Sequence, residues 1–163
     1  MITWKGEVNM FDDWTENACP IIPTNLTPYA NAGIAQQVRK YTPPNEFGKI
    51  HEKRPEGGAM RFTNKRWAWD LPTKWDIKRG SESDIRLIEA GMEAFIFDAY
   101  YLAGWGIDTI LIPKLGAGLG KLDWQDVWDA ISYRVAELSN IFHVNIYSEV
   151  MNERVRIKIP VRV

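Results

Sequence analysis

Residues 114–120 read KLGAGLG, with Gly116, Gly118 and Gly120 at alternate positions. Glycines at that spacing remove the Cβ atoms that keep a backbone away from a ligand. Successive free N–H groups can then form an anion nest, reinforced by the start of a following helix. The same pattern also serves as a plain strand-to-helix turn. It is not the dinucleotide fingerprint, which has GxGxxG spacing and an early position, and no Gly-Lys-Ser/Thr follows in register as a P-loop requires. A second loop, residues 25–33, leads from an apolar segment into a helix and carries Asn25, Ala32 and Gly33. Both loops are shaped for close approach to an anion. Metal chemistry has little to work with. The two histidines, His51 and His143, stand far apart, and the chain contains neither HExxH nor CxxC. A protein-held metal and a bound cofactor are therefore not expected.

The chain that must position these loops has 163 residues, the size of one domain. It is 45% hydrophobic and 25% charged, ordinary globular values. Its net charge of −1 supplies no global attraction for nucleic acid, although a local basic patch is compatible with it. The single Cys19 excludes an internal disulfide framework and fits a reducing, cytoplasmic setting. Glu7, Asp12, Asp13 and Glu16 interrupt the region where a secretory signal would lie. Asp98 and Asp108 interrupt the most apolar stretch, so no membrane span is expected. Eight tryptophans are many for this length, and the plain reading is an aromatic-rich core.

Residues 2–5 form a short strand candidate. Residues 18–24 (ACPIIPT) are apolar but carry Pro20 and Pro23, which suggests an edge strand or an irregular end. Residues 32–41 have Ile34, Val38 and Tyr41 at helical spacing. Residues 59–63 and 66–71 read as a hairpin turning at Asn64 and Lys65, and residues 71–80 as a loop. Ser83 is the expected cap of a long helix. Its buried stripe is Ile85, Ile88, Met92, Phe95, Ala99 and Leu102, and Gly104 and Gly106 end it. Residues 109–113 (TILIP) read as a strand buried on both faces. Asp123 is the expected cap of a further helix with Val127, Ile131, Val135 and Leu138 inward. Residues 142–147 form another strand. Residues 154–163 alternate apolar and basic side chains, as a half-exposed strand does. Strands alternating with helices imply a three-layer α/β/α sandwich around a mixed, mostly parallel sheet. Such sheets bind ligands at the carboxyl ends of their strands, where both loops lie.

The segment IPKLGAGLGKLDW (residues 112–124) resembles the second ligand loop of macrodomains, the ADP-ribose-binding modules. NLTPYANAGIAQQV (residues 25–38) is similar to their first loop, Gly6-Glu7 stands where they usually have Gly-Asp, and Tyr147 ends a strand in the context Val-x-Ile-Tyr. The resemblance spans roughly residues 2–148 of a single domain, 1–163, with residues 149–163 adding a C-terminal strand. It implies that Glu7 and Val8 face the adenine, that Asn25 binds the distal ribose, and that Ala32, Gly33 and Ile34 contact the pyrophosphate. It further implies that Leu115, Gly116, Ala117, Gly118, Leu119 and Gly120 wrap the diphosphate and distal ribose, with Tyr147 near the adenosine.

Leu71-Pro72-Thr73-Lys74-Trp75, followed by Ser83 and Ile88-Glu-Ala-Gly91, resembles the Pro-Thr-Lys segment of DNA ADP-ribosyl glycohydrolases. These macrodomain antitoxins are similar to terminal ADP-ribose glycohydrolases acting on modified carboxylates. The resemblance makes Lys74 the catalytic residue, with Thr73 in the binding site. A lysine amine can trap the ring-opened distal ribose as an imine if desolvation lowers its pKa, and Trp69 or Trp75 would supply that desolvation. Two departures stand out. Terminal glycohydrolases carry an acidic residue in the second loop, where this chain has Gly120, and Gly-Asp has become Gly6-Glu7. Asp123, close in sequence, reads as the helix cap. The expected activity is hydrolysis of ADP-ribose from a macromolecule, with ADP-ribosylated DNA the first choice over protein. ADP-ribose 1″-phosphate phosphatase and a non-catalytic ADP-ribose reader are the alternatives. A monomer is expected.

Overall fold

A computed structural model describes residues 1–26, 33–43, 55–75 and 82–152. The strand expected at 154–163, His51 and Ala32 lie outside the described residues. Strands are β1 (Ile2–Trp4), β2 (Ala18–Asn25), β3 (Gly58–Arg61), β4 (Trp67–Lys74), β5 (Thr109–Ile112) and β6 (His143–Ile146). Helices are α1 (Gly33–Val38), α2 (Ile85–Gly104) and α3 (Trp124–Leu138), with a 3₁₀ turn at Met10–Asp13. The sheet order is β1-β6-β5-β2-β4-β3. Every pairing is parallel except the β3–β4 hairpin at one edge, whose turn places Lys65 at φ 68°. This is the three-layer sandwich with a mixed, mostly parallel sheet that the alternating elements predict.

Alternation along the strands separates two cores. Cys19, Ile21, Trp69, Leu71, Ile110, Ile112, Val144 and Ile146 face α2 and α3. On the opposite face Ala18, Ile22, Ala68 and Leu111 meet α1 and the 3₁₀ turn through Ala35, Val38, Met10 and Phe11. The α2 stripe is buried as its periodicity predicts, from Ile88 through Met92, Phe95 and Ala99 to Leu102, with Ile85 only partly covered. Trp14, Trp69, Trp124 and Trp128 are core residues, whereas Trp75 and Trp105 are exposed. Cys19 is fully buried, and burial pushes its thiol far up, so it is an inert packing residue.

Three expectations need correction. First, β2 has the irregular end its prolines suggest, a register shift between Thr24 and Asn25, but it is not an edge. It lies between β5 and β4, and its prolines are accommodated because its pairing is divided. Ala18 to Pro20 pair with β5, and Ile21 to Asn25 pair with β4. A strand bonded on one side at a time tolerates a proline nitrogen facing the other. Second, residues 71–74 are strand, not loop, because β4 pairs with β2 as far as Asn25↔Lys74. Third, the cap of α2 is Asp84, whose carboxylate accepts from Arg86 N. Ser83 is buried one residue earlier. Asp123 does cap α3, accepting from Asp126 N.

Candidate functional site

Five parallel strands end on one edge of the sheet, and the residues singled out in the sequence lie at or just past those ends. Glu7 and Val8 follow β1, Asn25 closes β2, Lys74 closes β4, residues 114–120 follow β5, and Tyr147 follows β6. β2 and β5 are neighbours, yet α1 packs on one face of the sheet while α3, after β5, packs on the other. Their connections diverge, which opens the switch-point crevice where such sheets take ligands.

The two loops approach each other over the crevice. A Cβ at Gly33, which has φ 61°, would stand 3.5 Å from Leu119 Cδ1, so α1's first turn lies close to the tip of the glycine-rich loop. Lys74 Nζ donates to the Leu119 carbonyl at 3.2 Å. Gly33, Lys74 and Leu119, far apart in sequence, therefore converge. Lys74 is half-buried and forms no ion pair with a described residue. Its partner is a neutral carbonyl, which leaves the amine available to an incoming group. Of the two tryptophans expected to desolvate it, Trp69 is sealed in the α2–α3 core and Trp75 is largely open to solvent.

The glycine-rich loop is shaped residue by residue. Leu115 is fully buried and anchors it in the α2–α3 core. Gly116 adopts φ 72°, and a Cβ there would press on Ile88, Leu122 and Ser83. Ala117 is half-buried, while Gly118 and Leu119 are exposed at the tip. Gly118 has open space where a Cβ would lie.

Below the loop runs a buried polar seam that sequence reasoning missed. Ser83 N donates to Gly120 O at 2.9 Å, and Ser83 Oγ donates to Thr73 Oγ1 at 3.1 Å. Thr73 Oγ1 donates in turn to Thr24 O at 3.2 Å, and Asp84 N to Thr73 O at 2.7 Å. The β2–β4 register slips at this point, from Thr24↔Pro72 to Asn25↔Lys74, which leaves Thr73 as the extra residue of a bulge. Thr73 is thus a buried tie that aims the Lys74 segment. One layer down, Thr24 Oγ1 donates to the buried carboxylate of Asp70. Ser and Asp are both favoured at helix caps, so residue type alone does not separate Ser83 from Asp84. Only the buried partners of Ser83 separate the two roles.

At the other end of the crevice, Glu7 and Val8 are exposed. Lys114 Nζ bridges Glu7 Oε1 at 2.7 Å and Glu149 Oε2 at 3.1 Å, joining the ends of β1, β5 and β6. The hydrogen bond to Glu7 raises the Lys114 pKa, and hydrogen bonding lowers that of Glu149. Tyr147 is buried in the α1-face core, and its hydroxyl donates to Asp13 Oδ2 at 2.6 Å. Burial, then that contact, push the phenol upward, so Tyr147 is a neutral packing group beneath the crevice floor. Ile34 packs at the margin of the same core. Among the described residues no cluster of three or more His, Cys, Asp or Glu is placed to hold a metal, and no helix is long and apolar enough to cross a membrane.

No family model and no curated protein matches this chain. Solved structures do. The chain is similar to the macrodomain of Mycobacterium tuberculosis DarG at 22% identity and TM-score 0.72, covering 92% of this chain and 99% of that one. The macrodomain of Thermus aquaticus DarG aligns at 21% identity and TM-score 0.72, covering 91% of this chain and 98% of that one. Thermosipho africanus DarTG, solved in complex with ADP-ribose, aligns at 22% identity and TM-score 0.68, over 91% of this chain and 41% of that one.

Proposed function

We propose that this chain, which has the macrodomain fold, binds ADP-ribose across the β2–β5 crevice and hydrolyses it from a macromolecule, with Lys74 as the catalytic residue. The observation that carries the reading is the convergence of Lys74, Leu119 and Gly33 over the crevice. Gly33 to Ala35 and Ala117 to Leu119 offer backbone to a pyrophosphate from two sides, and an amine stands at the end where the distal ribose would lie. The ADP-ribose held by the Thermosipho africanus DarTG structure supports the choice of ligand.

In this reading the Lys74 amine forms a bond to C1″ of the distal ribose as the C1″–O4″ bond opens and O4″ takes up a proton. The linked group then leaves from C1″ with its bonding pair and a proton, and an imine remains. Water hydrolyses the imine, returning the amine and free ADP-ribose. The carbonyl of Leu119 orients the amine before substrate enters. DNA is the first choice of macromolecule, because the Pro72-Thr73-Lys74 segment resembles that of the DNA-directed glycohydrolases and Gly120 departs from the acidic position of those acting on carboxylates. The setting proposed is cytoplasmic and the protein monomeric.

The deciding experiment offers ADP-ribosylated DNA, ADP-ribosylated protein and ADP-ribose 1″-phosphate side by side. Release of ADP-ribose from either macromolecule, dependent on Lys74, is the expected result. Turnover of the 1″-phosphate alone would make the protein a phosphatase. Binding of ADP-ribose without any turnover would make it a reader.

A further inference from the structure

We propose that Trp75 is a specificity-determining residue whose indole face stacks on a flat aromatic group leaving from the distal ribose, favouring base-linked ADP-ribose over an aliphatic carboxylate linkage. The inference rests on the reading of the crevice under Proposed function.

Trp75 directly follows Lys74 and is 56% exposed. A singly exposed aromatic is ordinary on a protein surface, but this one is held in place. Its Nε1 donates to Asp84 Oδ2 at 2.9 Å. Asp84 is itself anchored: its backbone N donates to Thr73 O, its Oδ1 caps α2 by accepting from Arg86 N, and the Arg86 guanidinium closes on Oδ2 at 2.9 Å. The polar edge of the indole is therefore satisfied and its position tied to the start of α2, while its surface faces solvent. A ring ordered in advance loses little freedom when a partner stacks on it.

Placement adds the second argument. Lys74 is the last residue of β4 and Trp75 the first beyond it, and their side chains take different partners. Lys74 reaches over the crevice to Leu119, and Trp75 turns to the α2 side to meet Asp84. The ring thus flanks the amine by one residue, against the start of α2. A group departing from C1″ leaves the carbon that the Lys74 amine attacks, one residue along the chain from the ring. Bases stack on aromatic side chains largely irrespective of their identity, whereas a glutamate side chain offers no ring.

The test reads affinity without turnover, in the Lys74→Ala chain with and without Trp75→Ala. Three ligands are compared: free ADP-ribose, an oligodeoxynucleotide bearing ADP-ribose on a base, and a peptide bearing it on a glutamate. The base-linked ligand should bind more tightly than free ADP-ribose. Trp75→Ala should weaken that ligand alone by about tenfold or more, the scale of one stacked base, and Trp75→Phe, which keeps a ring but loses the hydrogen bond to Asp84, should retain part of the gain. An equal loss on all three ligands would make Trp75 a structural residue, and no loss on the base-linked ligand would leave the ring idle. Either result overturns the proposal while ADP-ribose binding stands. Failure of the unsubstituted chain to bind free ADP-ribose would instead overturn the parent reading, and this one with it.

Discussion

A Cβ added at Gly120 would fall 2.0 Å from Ser83 Oγ and 2.5 Å from the Gly116 carbonyl. The place a side chain would need is taken by the residue that joins the glycine-rich loop to β4. Gly120 is where the resemblance expects an acidic group in terminal glycohydrolases. In this chain that position is given over to packing, so the chemistry proposed for Lys74 has no carboxylate from this position to draw on.

Gly120→Asp should therefore destabilise the fold rather than add a base. The clash involves backbone as well as Ser83, and overpacking of this kind costs about 1–3 kcal/mol. Thermal unfolding should show a lower Tm, with no gain in turnover on any ADP-ribosylated substrate. A stable and faster variant would contradict the assignment of Gly120.

Gly118→Glu should behave in the opposite way. The site has open space, and its backbone is not in the left-handed region. Stability should stay within about 0.5 kcal/mol of the unsubstituted chain. A carboxylate at the loop tip would repel the phosphates, so calorimetry should lose the micromolar ADP-ribose binding, worth about 8 kcal/mol, expected of the intact crevice. Normal binding by this variant would move the ligand elsewhere.

Lys74→Ala should lower turnover by roughly 10²-fold or more while ADP-ribose affinity is kept. In the proposed binding mode the adenosine and pyrophosphate contacts come from other elements, and the hydrogen bond to Leu119 is exposed. Borohydride added during turnover should trap an adduct on Lys74 and none in the variant. Full activity of Lys74→Ala on every substrate would defeat the mechanism.

Asp84 gives a pH signature. Its hydrogen bond with Arg86, then that with Trp75, hold its carboxyl down from 3.8 to about 2. A carboxyl depressed by folding contributes stability that is complete above its unfolded value and lost as pH falls through its folded one. Asp84→Asn keeps a capping side chain but removes the charge. The variant should be less stable than the parent at pH 7, by about 1 kcal/mol given how exposed Arg86 is. The gap should shrink below pH 4 and close only as pH falls below about 2. Tm measured across that range checks it, and a gap independent of pH would place the stabilisation in the cap alone.

The order and type of elements were written locally in the chain. Ile88, Met92, Phe95, Ala99 and Leu102 recur at helical spacing, and that pattern alone specifies a helix with one buried face. The alternate glycines of residues 114–120 and Asp123 ahead of an apolar stripe are signals of the same local kind. Strand pairing is not local. β2 was unreadable as a central strand because the division of its pairing between β5 and β4 depends on partners supplied much later in the chain. Residues 71–74 looked like a loop for the same reason: only β2 beside them makes Pro72, Thr73 and Lys74 the end of a strand. Ser83 and Asp84 are equivalent caps by composition, and only Thr73 and Gly120 decide which one is buried. The residue types needed for the chemistry were thus legible along the chain. Their meeting was not, because Lys74 and Leu119 are 45 residues apart and are joined only when two parallel strands end on the same edge of one sheet.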